Sequence, residues 1–423
     1  MPSATRPNSV VTIVRQFAEG YRVPFYEALR AELGRCGVTL QVIYGEADVE
    51  EVRRGLGGDI AWGRRIRNRW ITVGPLKLRW QPCSGFLHDS DLIIVEQASK
   101  LPLNYLLLAR QAFGGAKVAF WGHGRNFQEH MANRLGEAVK RLISRWSHWW
   151  FAYTELSAAA VQSLPYPSDR ITVVQNAIDT AALSDRKLRT TEAELSELRR
   201  HWSIESTNVA VYAGSLYAEK RICFLLEAAV ALRRRLPDFE LIVIGAGPDQ
   251  ALVEEATRQN SWIHYVGPRF GAEKVPYFSL ARAMLLPGAV GLAVLDSFAL
   301  EVPLVTLDLA DHGPELAYLR HGENGLQLPA ATDAEGYAAA VSLVMAEGPL
   351  RDRLLAGCRR SAEIYTLPAM VSRFAQGVLQ ALGASPPWKH GGEDELLVPA
   401  SSLFEAAESM AMDRAAQRHV GNR

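Results

Sequence analysis

Asp296 is a carboxylate inside an almost wholly apolar stretch, "LLPGAVGLAVLDSFALEVPLVT", residues 285–306. A charge in such a place has to be paired, hydrogen-bonded or used. Ahead of it runs a loop of small residues, Pro287, Gly288, Ala289 and Gly291, feeding a helix predicted to begin near Gly291. Free amides at a helix start, here those near Gly291 and Leu292, make a phosphate site. A carboxylate about one turn further along can accept hydrogen bonds from ribose hydroxyls. A plainer role stays open for Asp296, that of a helix N-terminal carboxylate favoured by the macrodipole.

Other candidates follow short apolar runs. "SLYAEK" brings Ser215 and Lys220, and a lysine just beyond a strand can reach a diphosphate as a point charge; a solvated surface lysine is the alternative. "GAGPDQ" carries Gly245 and Gly247, which let backbone approach a ligand, but it lacks the third glycine of a dinucleotide fingerprint. Arg269, in "GPRF", is placed to face a base or ribose. In the first half, "FWGHGRN" sets His123 between Gly122 and Gly124, with Arg125 beside it; a structural histidine is the competing reading. Gly20 and Arg22, in "RQFAEGYR", and Glu96, after "LIIV", would lie at a cleft edge on the acceptor side.

All of these need strand ends to hold them. β-branched runs alternate with helical patterns: "VVTIV", "TLQVIYG", "DLIIVEQ", "KVAFWGHG", "WWFAYT", "ITVVQNAID", then a charged helical break at 180–205, then "NVAVYAGS", "FELIVIGAGP", "WIHYVGP", "AMLLPG", "PLVTLD" and "NGLQLP". Such alternation makes parallel sheets covered on both faces. The fold class is α/β, two Rossmann-like doubly wound domains facing a central cleft, where ligands bind outside the carboxyl ends of strands. The expected division is 1–185, 186–365, a helix at 366–384 packing back on the first domain, and a peripheral tail at 385–423.

Composition narrows the classes. The 46 basic and 46 acidic side chains balance, which argues against a dedicated nucleic-acid binder. Cys36, Cys83, Cys223 and Cys358 are scattered without a CxxC pair, which speaks against zinc and a disulfide framework and for a reducing compartment. No apolar run is long enough to span a bilayer and the N-terminus lacks a signal-peptide core, so a cytoplasmic protein is expected.

The pieces "VVQNAID", "GSLYAEKRICFLLEAA", "LIVIGAGPDQALV", "HYVGPRFGAEKVPYF", "LDSFALEVPLVT" and "HGENGLQLP", in this order, within a similarity that spans roughly residues 10–380, resemble the family 4 glycosyltransferases, which have the GT-B fold. The resemblance implies transfer of a sugar from a nucleotide sugar with retention of configuration, no bound metal and no cofactor beyond the donor as co-substrate. It makes Lys220 a donor-diphosphate ligand, His123 a contact to donor sugar or phosphate, and Asp296 the second acid of an E-x7-E motif, the one on the ribose. The chain departs from the pattern at three places: Gly288 where the first glutamate would stand, Ser215 for an arginine, and Glu301 for a small residue.

Two basic, aromatic stretches bear on the acceptor, "WGRRIRNRWITVGPLKLRWQP" (62–82) and "KRLISRWSHWW" (140–150). Arginine and lysine with tryptophan suit an inner-leaflet membrane surface or a lipid diphosphate, while Trp149 and Trp150 read as buried strand residues. The reading is a glycosyltransferase acting on a glycan or lipid-linked acceptor in bacterial-type surface polysaccharide synthesis, hexosyltransferase in type and peripheral at the inner membrane face. The alternatives are a silent nucleotide-sugar binder, or a nucleotide-sugar epimerase or hydrolase on the same fold.

Overall fold

The computed structural model describes residues 9–53, 56–74, 76–124, 145–164 and 166–383. Arg125, the first five residues of the 140–150 basic stretch and the 385–423 tail lie outside the described residues. Strands β1 (Ser9–Arg15), β2 (Val38–Gly45) and β3 (Arg64–Ile66) precede a hairpin of β4 (Arg69–Val73) and β5 (Leu76–Trp80). Then come β6 (Leu92–Glu96), β7 (Lys117–Gly122), β8 (Trp149–Ala152) and β9 (Ile171–Val173). The second half supplies β10 (Val209–Ala213), β11 (Glu240–Ile244), β12 (Ile263–Gly267), β13 (Ala283–Leu285), β14 (Leu304–Leu307) and β15 (Gly325–Leu328).

These form two parallel sheets, ordered β3-β2-β1-β6-β7-β8-β9 and β12-β11-β10-β13-β14-β15; the hairpin pairs antiparallel on its own. Strands such as "VAVYA" and "ELIVI" are buried at every position, the pattern of a parallel sheet covered on both faces. In each sheet the order reverses beside a central strand, β1 against β6 and β10 against β13. Loops part at such switch points and leave a crevice at the carboxyl ends.

The charged segment after β9 forms two helices, Thr180–Arg189 and Glu192–Trp202. Asp179 caps the first, its side chain accepting from the Ala182 amide at 3.0 Å. That helix lies on the second domain, where Ser184 Oγ donates to the Ala299 carbonyl at 3.1 Å and Lys187 Nζ to that of Leu300 at 2.8 Å. The chain returns through helix Leu367–Leu382, capped by Thr366. Phe374 of this helix stacks on Phe151 at 4.3 Å, and Lys117 Nζ and His148 Nε2 both reach the Ala381 carbonyl at 2.9 Å. A side chain at Gly377 would meet Phe151 at 2.7 Å, so the close approach requires glycine.

Trp149 and Trp150 are buried in β8, with Trp149 Nε1 donating to Thr172 Oγ1 at 2.9 Å. Trp70 on the hairpin is 53% exposed, under the Arg79 guanidinium at 4.6 Å. No helix among the described residues is long and apolar enough to cross a membrane.

Candidate functional site

Two adjoining cavities occupy the cleft. The larger, about 670 Å³, is lined by Ser215, Gly245, Arg269, Lys274 and Asp296 of the second domain and by Gly20 and Tyr21 of the first. The smaller, about 520 Å³, collects strand ends from both domains: Arg15, Glu96, Gly122, His123, Tyr153, Asn176, Lys220, Gly291 and Glu315 among them. Tyr21 and Leu292 line both.

Asp296 sits in the first turn of helix Ala293–Leu300 and is buried. Lys274 Nζ lies 2.7 Å from its Oδ1. The pair compensates the buried charge; Oδ1 is itself sealed from solvent, so accepting from a hydroxyl in the larger cavity, which Asp296 lines, falls to Oδ2. The helix starts two residues later than the sequence pattern suggests, at Ala293, with Leu292 as its cap. The amides of Gly291 and Leu292 make no hydrogen bond among the described residues, whereas those of Ala289 and Val290 are taken by the Glu219 carbonyl and by His312. Two donors at a helix start therefore face the smaller cavity.

Lys220 is buried in a short turn after β10, and its Nζ donates to the Ala289 carbonyl. The ammonium is thereby fixed to the loop that carries Gly291. Gly288 explains the fixed spacing. A Cβ there would collide with the Glu219 carbonyl and come within 2.5 Å of Lys220 Cα. The loop packs so closely under Lys220 that no acidic side chain fits at 288, and Gly288 lines neither cavity.

Two other predicted positions separate from their groups. Gly247 also lies outside both cavities; its φ of 154° and the Leu216 carbonyl carbon 2.8 Å from a would-be Cβ show glycine serving backbone packing. Gly20 lines the larger cavity beside Arg269 and Asp296, apart from the other acceptor-side candidates. Arg22, Glu96 and His123 do meet in the smaller one.

There the first domain supplies a charge network that sequence reading missed. Arg15 Nη2 pairs with Glu19 at 2.5 Å and Glu96 at 2.7 Å. Burial works against the Arg15 charge, but these two carboxylates outweigh it and hold the guanidinium protonated. The Arg22 guanidinium packs 4.9 Å from the Trp121 ring and 5.4 Å from that of Tyr153. Its Nη1 donates to Asn176 Oδ1 at 3.0 Å, and Asn176 Nδ2 donates to Glu315 Oε1 at 2.6 Å. This relay crosses from the first domain to the second. The His123 ring is exposed to the cleft and stands edge-on to Tyr153 at 4.6 Å. Asn176, in "VVQNAID", stands out in the sequence only as part of that motif; Glu315, in "HGPEL", lies after a strand end, the one signal that could have found it.

Residues 207–347 match the family model described as glycosyl transferases group 1. The chain is 26% identical over 201 residues to an α-D-kanosaminyltransferase of Streptomyces kanamyceticus, covering 46% of this chain and 50% of the relative. It is 30% identical over 183 residues to a glycogen synthase of Mycobacterium tuberculosis, covering 41% and 40%. The chain thus spans about half the length, or less, of the curated relatives it matches. Among solved structures, HepE of Anabaena in complex with UDP aligns with a TM-score of 0.65 at 12% identity, over 88% of this chain and 99% of that one. A glycosyltransferase of Rickettsia africae aligns at 0.66 and 13%, over 89% and 99%. Sucrose-phosphate synthase of Thermosynechococcus elongatus aligns at 0.64 and 15%, over 89% and 100%. At these identities the likeness is one of fold, and the fold is GT-B: two Rossmann-like domains around a cleft.

Proposed function

We propose that this protein is a glycosyltransferase that takes a sugar from a nucleotide sugar and passes it to an acceptor held against the first domain. The observation that carries the reading is the order of groups along the two joined cavities. Asp296 and Lys274 line the larger cavity, Leu292 stands where the two meet, and Gly291, Lys220, His123 and the Arg22–Asn176–Glu315 relay line the smaller one. That order suits nucleoside, diphosphate and sugar in sequence. As the bond from the anomeric carbon to the diphosphate oxygen breaks, negative charge grows on the leaving diphosphate, and a fixed ammonium with two helix-start amides stabilises it without reorganising. His123 serves to position the donor. A front-face, retaining transfer, in which the diphosphate helps deprotonate the acceptor hydroxyl, is the form of the reaction we favour. Lys220, the Gly291 and Leu292 amides and Glu315 supply the donor-side groups it uses.

The acceptor is proposed to be a glycan or lipid-linked sugar of surface polysaccharide synthesis. The exposed Trp70 and the basic run Arg64, Arg65, Arg67 and Arg69 beside it support docking at an anionic inner leaflet. The test is a thermal titration with UDP, GDP, ADP and their common sugars on wild type, Asp296→Ala and Lys220→Ala. A ligand present at about 100-fold over its Kd stabilises by about 2.7 kcal/mol. The expected outcome is a shift selective for one nucleotide and absent from both variants. No shift with any nucleotide in folded protein would sink the reading; turnover without an acceptor would move it to a hydrolase.

A further inference from the structure

We propose that Glu315 is the side chain that recognises hydroxyls of the transferred sugar, an inference that rests on the donor reading above. Glu315 stands in the turn Pro314–Tyr318 and is only 4% exposed, yet it lines the smaller cavity with Lys220, His123, Gly291 and Leu292. One of its oxygens is already committed. Oε1 accepts from Asn176 Nδ2 at 2.6 Å. The orientation of that amide follows from its other partner: Asn176 Oδ1 accepts from Arg22, a guanidinium can only donate, and so the NH2 group has to face Glu315. Tyr318 holds the Asn176 backbone, its hydroxyl donating to the carbonyl at 3.2 Å.

The second oxygen, Oε2, has no hydrogen-bond partner among the described residues. It points along Gly313 and Gly291: a Cβ on Gly313 would stand 2.8 Å from it, and one on Gly291 4.0 Å. The two glycines keep it uncovered. Gly291 also offers its amide at the phosphate end of the cavity, so a group attached to a phosphate held there passes directly in front of Oε2. A carboxylate oxygen accepting from sugar hydroxyls forms short, charge-assisted bonds.

The other acids of the cavity are engaged or closed off. Glu96 pairs with Arg15 and accepts from Gln16; Glu19 pairs with Arg15, and its Oε2 is sealed from solvent. The loop after β13 cannot contribute a carboxylate, because Gly288 is pressed on the backbone of Glu219 and Lys220. Glu315 is thus the specificity residue for the sugar, and Asn176 and Arg22 are positioning residues that fix its first oxygen.

The experiment compares calorimetric affinities for UDP, GDP and ADP with those for UDP-glucose, UDP-N-acetylglucosamine, GDP-mannose and ADP-glucose, on wild type and Glu315→Gln. Glutamine can still accept from Asn176, so the relay survives. The expected result is that wild type binds one nucleotide sugar more tightly than its own diphosphate. In Glu315→Gln that preference falls at least tenfold while affinity for the diphosphate stays as it was. An unchanged preference, an equal loss for sugar and diphosphate, or no preference in wild type would each overturn the role of Glu315. Failure of wild type to bind any nucleotide would instead overturn the donor reading itself. Should Glu315→Gln melt below the assay temperature, Glu315→Asp, with its carboxylate drawn back by one methylene, carries the same comparison.

Discussion

Lys274 holds its ammonium 2.7 Å from Oδ1 of Asp296 at the base of the larger cavity. The Asp296 side chain is 7% exposed and that of Lys274 15%, so each is the main compensation for the other. Removing one partner of a buried pair strands the second charge, at a cost of about 3–5 kcal/mol. Lys274→Met strands the carboxylate, the more buried of the two, and should fall at the upper end, about 5 kcal/mol by urea denaturation, whereas a stranded Lys274 keeps some solvent. Asp296→Asn should cost less stability and instead weaken nucleotide binding at least tenfold by calorimetry. Equal binding by Asp296→Asn and wild type would show the carboxylate to be structural only.

Gly288→Ala should be among the most damaging single-methyl additions in the chain. The atoms in the way are the backbone of Glu219 and Lys220, which cannot swing aside as a side chain can. Overpacking of this kind costs about 1–3 kcal/mol. The displacement falls on Lys220, so diphosphate affinity should drop together with the denaturation midpoint. Gly291→Ala, with open space around its Cβ apart from Glu315 Oε2 at 4.0 Å, should leave the midpoint nearly unchanged.

Stability should fall as pH drops below about 6.5, the ordinary histidine pKa, and His312 is the reason. Burial pushes its imidazole below the ordinary value; Lys220 acts the same way, while the Leu307 carbonyl, Asp308 and Asp311 oppose it. The Val290 amide donates to Nδ1 at 2.9 Å and Nε2 lies 2.7 Å from the Leu307 carbonyl, so the folded ring is neutral with its proton on Nε2. Between the lowered folded pKa and the unfolded one, the unfolded chain binds the proton more readily, and stability is lost at up to about 1.4 kcal/mol per pH unit. Above the unfolded pKa the contribution is complete. Half-buried His148, also lowered by burial, adds to the slope. Urea melts at pH 7.5, 6.5 and 5.5 should show a shallower decline for His312→Gln than for wild type.

Glu301→Gly should leave stability within about 1 kcal/mol of wild type. Glu301 ends helix Ala293–Leu300 in the left-handed region, at φ 55°, which costs a residue with a Cβ about 1–2 kcal/mol. Against that stand ion pairs to Lys187 at 3.1 Å and Arg359 at 2.5 Å, both partly exposed and each worth about 1 kcal/mol or less. Burial alone would raise the Glu301 pKa, but these two cations outweigh it and hold it low. The benefit of glutamate is therefore present above the ordinary carboxylate pKa and fades as pH falls through the lowered one. Glu301→Val, which keeps the strain and loses the ion pairs, should cost about 2 kcal/mol.

The parallel sheets were legible because burial on both faces leaves unbroken runs such as "LIVIG" and "VAVYA" in plain view. Asp296, Lys220 and His123 were legible for a related reason: each is a polar residue just past such a run. Asn176 and Glu315 were not. Their meaning comes from each other, 139 residues apart, and from Arg22, which the sequence places at the cleft edge without showing that it reaches Asn176, 154 residues on. Gly247 misled in the opposite sense, since a glycine needed for backbone packing and one needed for ligand approach look alike until the neighbouring carbonyl of Leu216 is in place.

The chain passes from one domain to the other just after Ala177 and comes back just before Met370, and these two residues touch, the Ala177 amide lying 3.2 Å from Met370 Sδ. Two crossings pinned together act as a door hinge: they permit swinging about one line and resist sliding. Asn176 stands next to the pin, one residue before Ala177, and carries the bond to Glu315. A swing about that line would lengthen the Asn176–Glu315 bond less than it would part groups farther from the pin. The expected consequence is that, if the two halves part, the Asn176–Glu315 end of the cleft is the part least disturbed.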